Sequence, residues 1–196
     1  QQGVMVEEGT TNLLTANQAS VETDLTGFFA ASQYNSHTLY RDTTTAWHGN
    51  ASAKVVSNYA GTQWIVLDTT PIKASVLPNT VYTASVKGKA SASDRGAGIR
   101  IIWYDSSQAW IRTDSLYTSY STVWKTFTIT QTSPANAAYA AVQLTIENAQ
   151  QNDAFWWDCA QVEQFSYARS WQLPGTSRSA EVLTAPTAGV FQKGSW

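Results

Sequence analysis

Hydrophobic and polar residues alternate in six short runs, at 63–68 (QWIVLD), 81–89 (VYTASVKGK), 99–105 (IRIIWYD), 124–130 (WKTFTIT), 139–147 (YAAVQLTIE) and 155–163 (FWWDCAQVE). A repeat of two places successive side chains on opposite faces, so each run reads as a half-buried β-strand. Turn chemistry separates them: Leu77-Pro78-Asn79, Ser93-Asp94-Arg95-Gly96, Asp105-Ser106-Ser107 and Ser133-Pro134-Ala135-Asn136. No stretch has the period of a long amphipathic helix. Many short strands joined by such turns predict an all-β fold, a β-sandwich (jelly roll) of two antiparallel sheets.

The alternation also assigns faces. In 139–147, Ala140, Val142, Leu144 and Ile146 share one side, and Tyr139, Gln143, Thr145 and Glu147 share the other. Tyr82, Ala84 and Val86 oppose Thr83, Ser85 and Lys87; Ile99, Ile101 and Trp103 oppose Arg100, Ile102 and Tyr104. Unbroken alternation in 155–163 sets Asp158 beside Trp156, Ala160 and Val162. After about Gln164 the pattern fades, and from Pro174 onward a linker or an arm lying on a neighbour is expected.

Composition narrows the function classes. The chain has 196 residues, enough for one domain with a sizeable core. Twelve Lys and Arg stand against 14 Asp and Glu, a net charge of -2, which supplies no electrostatic footprint for nucleic acid or an anionic membrane. No apolar run approaches the roughly 20 residues of a membrane-spanning helix, so membrane insertion is not expected. A single cysteine, Cys159, rules out an internal disulfide and a multi-cysteine zinc site within one chain. Nine Trp and nine Tyr, with abundant Ser and Thr, suit pleated surfaces. The start at Gln1 and the stop at Trp196 suggest a piece of a larger multi-module protein.

The usual enzymatic motifs are missing: there is no Gly-x-Ser-x-Gly elbow, His-Glu-x-x-His helix, phosphate-cradling glycine loop or Cys-x-x-Cys pair. A glycosidase needs two carboxylates across a cleft, and Asp105 with Asp114 or Glu147 are the nominal candidates, but no pair declares itself. The expectation is therefore a non-enzyme. Binding of a polysaccharide fits the composition better. A pyranose presents apolar C–H faces that stack on Trp or Tyr and a rim of hydroxyls that pair with polar side chains. Trp103, Tyr104, Asp105, Gln108, Trp110, Arg112 and Asp114 assemble both kinds within a dozen residues, with Tyr139 and Gln143 on the outward side of a nearby strand. The candidate carbohydrate-binding residues are Tyr104, Trp110, Arg112, Tyr139, Gln143 and Trp157. Trp64, Trp103, Trp124 and Trp156 are assigned to core packing, and Trp47 is a further candidate. Pattern alone leaves open whether the site is a sheet face or a loop edge.

Several motifs, in order, resemble a known family. Asn12-Leu13-Leu14, Asn17, Ser20-Val21-Glu22 and Gly27-Phe28 open the series. Gly49 with Ser52-Ala53-Lys54-Val55, the run Pro78 to Ser85, Trp103-Tyr104-Asp105 and Trp124 continue it, and Phe155 to Glu163 closes it. Together they resemble the jelly-roll carbohydrate-binding modules of the xylan- and β-glucan-binding group, over about residues 12–163. Val21 stands where Phe is usual and Phe28 where Trp is common. The segment from Gln161 through Leu183 is similar to the closing part of modules in bacteriophage tail and other phage-borne surface proteins. The resemblance implies a lectin-like adhesion module for a polysaccharide or cell-surface glycan, extracellular or virion-associated. The chain then divides into an N-terminal lead-in (1–11), the module (12–170) and a C-terminal extension toward a further module (171–196). It further implies a structural calcium ion held by Glu22 and Asp158, with Asn17, Ser20 and Ser52 nearby. The alternative for Asp158 is a carboxylate satisfied by backbone N–H groups or Arg. A second function reading is a structural or assembly module of a phage tail-like protein without sugar binding; it predicts a sizeable exposed aliphatic patch, where a binder predicts exposed aromatics.

Overall fold

The computed structural model describes residues 9–178. In chain order the elements are β1 (Thr10–Thr11), helix α1 (Ala16–Ser20), β2 (Phe29–Ser32), β3 (His37–Asp42), β4 (Ser52–Ser57) and β5 (Gln63–Asp68). There follow β6 (Ala74–Ser75), β7 (Val81–Ala90), β8 (Gly96–Tyr104), β9 (Trp110–Ser119), β10 (Lys125–Thr132), β11 (Tyr139–Ala149), β12 (Ala154–Glu163) and β13 (Ser177–Arg178). Two antiparallel sheets form the body. One has the order β10-β7-β12-β4-β3; the other runs β2-β5-β11-β8-β9, with β6 added beside β11. The short β1 pairs with β13, which joins the chain's two described ends. Residues 179–196, the larger part of the expected C-terminal extension, lie outside the described residues, as do residues 1–8 of the lead-in. Among the described residues no helix is long and apolar enough to cross a membrane.

The core lies between the sheets and follows the alternation. Ala140, Val142, Leu144 and Ile146 from β11, Ile99, Ile101 and Trp103 from β8, and Tyr82, Ala84 and Val86 from β7 are all buried in it. Apolar area withdrawn from water on both inner faces drives this pairing of layers. The six predicted strands correspond to β5, β7, β8, β10, β11 and β12. Alternation missed β2, β3, β4 and β9, and the two-residue β1, β6 and β13. The edge strand β9 pairs only with β8 and is largely exposed along its length, so neither of its faces needs to be consistently apolar.

One parity expectation fails at a specific place. Register between β12 and β7 shifts between Asp158 and Gln161, and Cys159 takes a left-handed conformation with φ of 50°. This bulge inserts an extra step. Phe155 and Trp157 therefore face the core before it, and Ala160 and Val162 after it. Asp158 shares the outer side with Trp156, opposite Lys87, and not the side of Ala160 and Val162.

Candidate functional site

Strand β5 pairs with β11, and β11 with β8, so the residues that point away from the core are set side by side in rows. One row runs Phe29, Asp68, Gln143, Arg100 and Ser115; the next runs Ala31, Val66, Thr145, Gly98 and Tyr117. Across them lies a groove of about 380 Å3 lined by Trp64, Val66, Arg100, Gln143, Thr145 and Glu147. Trp64 is 42% exposed, and Tyr117 is 60% exposed beside the groove. Gly98 lets its neighbours close over the floor: a Cβ there would lie 2.6 Å from Thr145 Oγ1 and 3.1 Å from the Tyr117 ring.

A hydrogen-bond chain organises the polar side. Arg100 donates from Nη1 to Gln143 Oε1 at 3.0 Å and from Nη2 to the Tyr117 hydroxyl at 2.9 Å. Gln143 donates in turn to Asp68 Oδ2 at 3.1 Å, and Asp68 Oδ1 accepts from the Thr70 N–H and hydroxyl. Arg100 Nε and Thr145 Oγ1 have no hydrogen-bond partner among the described residues. The groove wall thus carries polar capacity that the fold itself does not use, and unpaired groups of this kind cost about 1–3 kcal/mol each.

The predicted binding residues divide. Gln143 is in the groove. Tyr139, Tyr104 and Trp110 form a row at one end of the same face, where Lys73 Nζ lies 4.7 Å from the Tyr104 ring centroid. Burial raises the pKa of the Tyr104 phenol. Trp110 is 65% exposed, its indole N–H held by Thr113 Oγ1 at 3.0 Å. Arg112 pairs with Trp103, a core residue, and its guanidinium braces Asp114 and the Thr132 carbonyl. It is therefore a strand-edge strut and not part of the groove lining.

Trp157 is a correction. It is 0% exposed, packed edge-on against Phe28 at 5.6 Å between ring centroids, because its position before the bulge directs it inward. Trp64 is the opposite correction: the core assignment fails because Ile65 and Leu67 take the inward positions of β5, which turns Trp64, Val66 and Asp68 outward. The polar end of that outward set, Asp68, was the available signal. Sequence reasoning also missed Tyr117, which lies in the unpredicted β9. Of the nominal acids, Asp105 Oδ1 is taken by the N–H groups of Ser107 and Ala109 and the Ser107 hydroxyl, and Asp114 accepts from the Trp103 indole at 2.7 Å. Asp68 and Glu147 are four residues apart in register, about 13 Å along the sheet, beyond the span of a glycosidase acid pair.

Glu22 and Asp158 do converge, on one loop. Asp158 Oδ2 accepts from the Trp47 and His48 N–H groups at 2.7 and 3.0 Å, and Oδ1 from Cys159 at 2.7 Å. Both Glu22 oxygens face the Asn50 N–H, at 3.0 and 3.1 Å. Burial pushes the Asp158 pKa up, and these N–H donors oppose that shift. The neighbouring Val21 and Glu22 carbonyls are taken by Arg41, from Nε at 2.7 Å and Nη2 at 2.5 Å. Calcium takes six to eight oxygens. As arranged, these oxygens serve N–H donors and a guanidinium, and the residues present do not fit a calcium shell. Among the described residues no group of three or more His, Cys, Asp and Glu is placed to hold a metal ion.

No family model matches the sequence, and no curated protein does. Solved structures do match the fold. A family 16 carbohydrate-binding module superimposes with a TM-score of 0.55 at 17% identity, over 77% of this chain and 99% of that one. The fold is that of carbohydrate-binding modules. The CBM22-1 xylan-binding domain from Paenibacillus barcinonensis Xyn10C matches at 0.54 and 15% identity, over 83% of this chain and 99% of its own. The enzymatically active domain of bacteriophage CBA120 tailspike protein 4 matches at 0.59 and 9% identity, over 78% of this chain but 21% of the tailspike chain.

Proposed function

We propose that this chain is a non-catalytic polysaccharide-binding module, with its site in the groove across the six-stranded sheet. One observation carries the reading: an exposed indole, Trp64, shares a groove with Arg100, Gln143, Thr145 and Glu147. An aromatic platform beside convergent polar groups is what a pyranose requires, since its C–H face needs a ring and its hydroxyls need donors and acceptors. Trp64 supplies the stacking surface, Tyr117 a second ring, and Arg100 and Gln143 the oriented polar atoms. The xylan-binding neighbour, and a similar module solved in complex with β-1,4-galactotriose, support a β-linked polysaccharide as the ligand class. The tailspike neighbour, of which this chain matches 21%, supports a place within a longer extracellular or virion-associated protein.

The assembly reading calls for a continuous aliphatic patch. The groove face instead exposes aromatic rings, Trp64, Trp110 and Tyr117, as a binder requires, which favours the binding reading. Affinity electrophoresis against xylan, mixed-linkage β-glucan, β-1,4-galactan and mannan tests it. Retardation by at least one neutral polysaccharide is expected, with Trp64→Ala weakening it about tenfold or more. No retardation across the panel, or an unaffected Trp64→Ala, overturns the assignment.

A further inference from the structure

The opposite side of the sandwich carries a second aromatic surface. On the outer face of the five-stranded sheet, Tyr40 pairs with Lys54, Lys54 with Trp156, and Trp156 with Lys89. These four side chains form one row across β3, β4, β12 and β7, alternating ring and ammonium. Lys54 Nζ lies 5.1 Å from the Tyr40 ring centroid and 4.8 Å from that of Trp156; Lys89 Nζ lies 5.0 Å from Trp156 and 5.9 Å from Trp124, which precedes β10. Trp47, 52% exposed, meets Trp124 edge-on at 6.4 Å and lies under Lys87 Nζ at 4.5 Å. Beside Lys87 opens a pocket of about 240 Å3 lined in part by Ser85, Thr126 and Trp171.

The charges on this face are unequal. Asp42 lies 3.3 Å from Lys54 and neutralises it. Asp158 lies opposite Lys87 in the pairing, but its oxygens are turned to the N–H groups of Trp47, His48 and Cys159. Among the described residues neither Lys87 nor Lys89 forms an ion pair. Lys87 donates to Thr126 Oγ1 at 2.5 Å, and the interactions found for Lys89 are the two ring contacts. A chain of net charge -2 therefore gathers, among three indoles, two ammonium groups that no described residue holds in an ion pair.

We propose that this face is a second binding surface for an acidic polysaccharide, a polymer of carboxylated sugars whose rings lie on Trp47, Trp124 and Trp156 and whose carboxylates meet Lys87 and Lys89. Strands are about 4.8 Å apart, so Trp156 and Trp124, two strand positions apart, are separated by about 10 Å, close to the length of a disaccharide. A neutral glycan covering this face would bury both ammonium groups without a counter-charge, which is costly. Single-stranded nucleic acid uses stacking rings too, but along a groove whose many cations track the phosphates, and two lysines do not supply that track. The acidic glycan satisfies both features with one ligand.

The test is affinity electrophoresis of the full chain in gels containing polygalacturonate, with fully methyl-esterified polygalacturonate as the same backbone without charge. A protein of net negative charge has no general attraction to a polyanion, so retardation reports a local site. Retardation is expected in the acid form and not in the ester, and it declines as NaCl is raised toward about 0.5 M. The double variant Lys87→Gln/Lys89→Gln, and separately Trp47→Ala, are expected to weaken binding about tenfold with unchanged melting midpoints, while Trp64→Ala, in the other groove, retains it. Equal migration in both gels, full binding by the double variant, loss in Trp64→Ala, or displacement by oligothymidylate at matched charge would each overturn the proposal. The neutral-polysaccharide panel and Trp64→Ala report separately on the groove.

Discussion

Arg100 and Tyr117 are locked together across the β8–β9 pair: Arg100 Nη2 donates to the phenol oxygen at 2.9 Å, and the guanidinium carbon lies 5.7 Å from the ring centroid. The same guanidinium holds Gln143, so the cation, one ring and one amide of the groove move as a unit. Preorganisation of this kind lowers the ordering cost that a ligand otherwise meets on binding.

Gly98 lies beneath that unit, and Gly98→Val tests it. The added side chain collides with Thr145 Oγ1 and the Tyr117 ring. Neutral-polysaccharide affinity is expected to fall about tenfold, with a loss of stability of about 1–3 kcal/mol from overpacking, read by titration calorimetry and chemical denaturation.

Trp157 behaves as core. Trp157→Ala is expected to cost about 3–5 kcal/mol in chemical denaturation, through the cavity left beside Phe28. Retention by polysaccharide in the fraction that stays folded is expected to be unchanged.

Asp42 makes the second face sensitive to pH. Burial alone would raise its pKa, but hydrogen bonds from the Thr44 hydroxyl, the Trp156 indole, the Thr44 N–H and Lys54 outweigh that and hold it well below the ordinary 3.8. A depressed folded-state pKa contributes stability that is complete above the unfolded value and is lost as pH falls through the folded one. Asp42→Asn is therefore expected to be less stable than the parent by about 1–2 kcal/mol at pH 7, with the gap narrowing as pH drops below 3.8, as followed by denaturation at a series of pH values.

The loop at Trp47 to Asn50 is braced by Glu22 and Asp158 through backbone N–H groups. A chelator is accordingly expected to leave the melting midpoint unchanged, whereas a calcium-dependent rise would show that these carboxylates exchange N–H donors for the ion. Gly49→Ala is expected to destabilise by about 1–3 kcal/mol, since Gly49 has φ of 69° and an added Cβ overlaps Glu22 Oε1; thermal melts measure both.

Alternation alone determined the two-sheet antiparallel class, the inward residues of β7, β8 and β11, and the outward side on which Gln143, Thr145 and Glu147 lie. A period of two is local: it depends only on the geometry of one strand. Which strands become neighbours was decided by the tertiary structure, and so the sites were too. Trp64 shares a groove with Arg100 because β11 lies between β5 and β8, and Lys54, Trp156 and Lys89 align because β12 inserts between β4 and β7. The bulge after Asp158 reversed the expected facing before it, so that Trp157 points into the core and Trp156 outward while Ala160 and Val162 keep their inward side, since a single left-handed residue shifts the alternation by one step. Strand pairing brings together residues more than a hundred positions apart, and such contacts leave no periodic trace in the sequence.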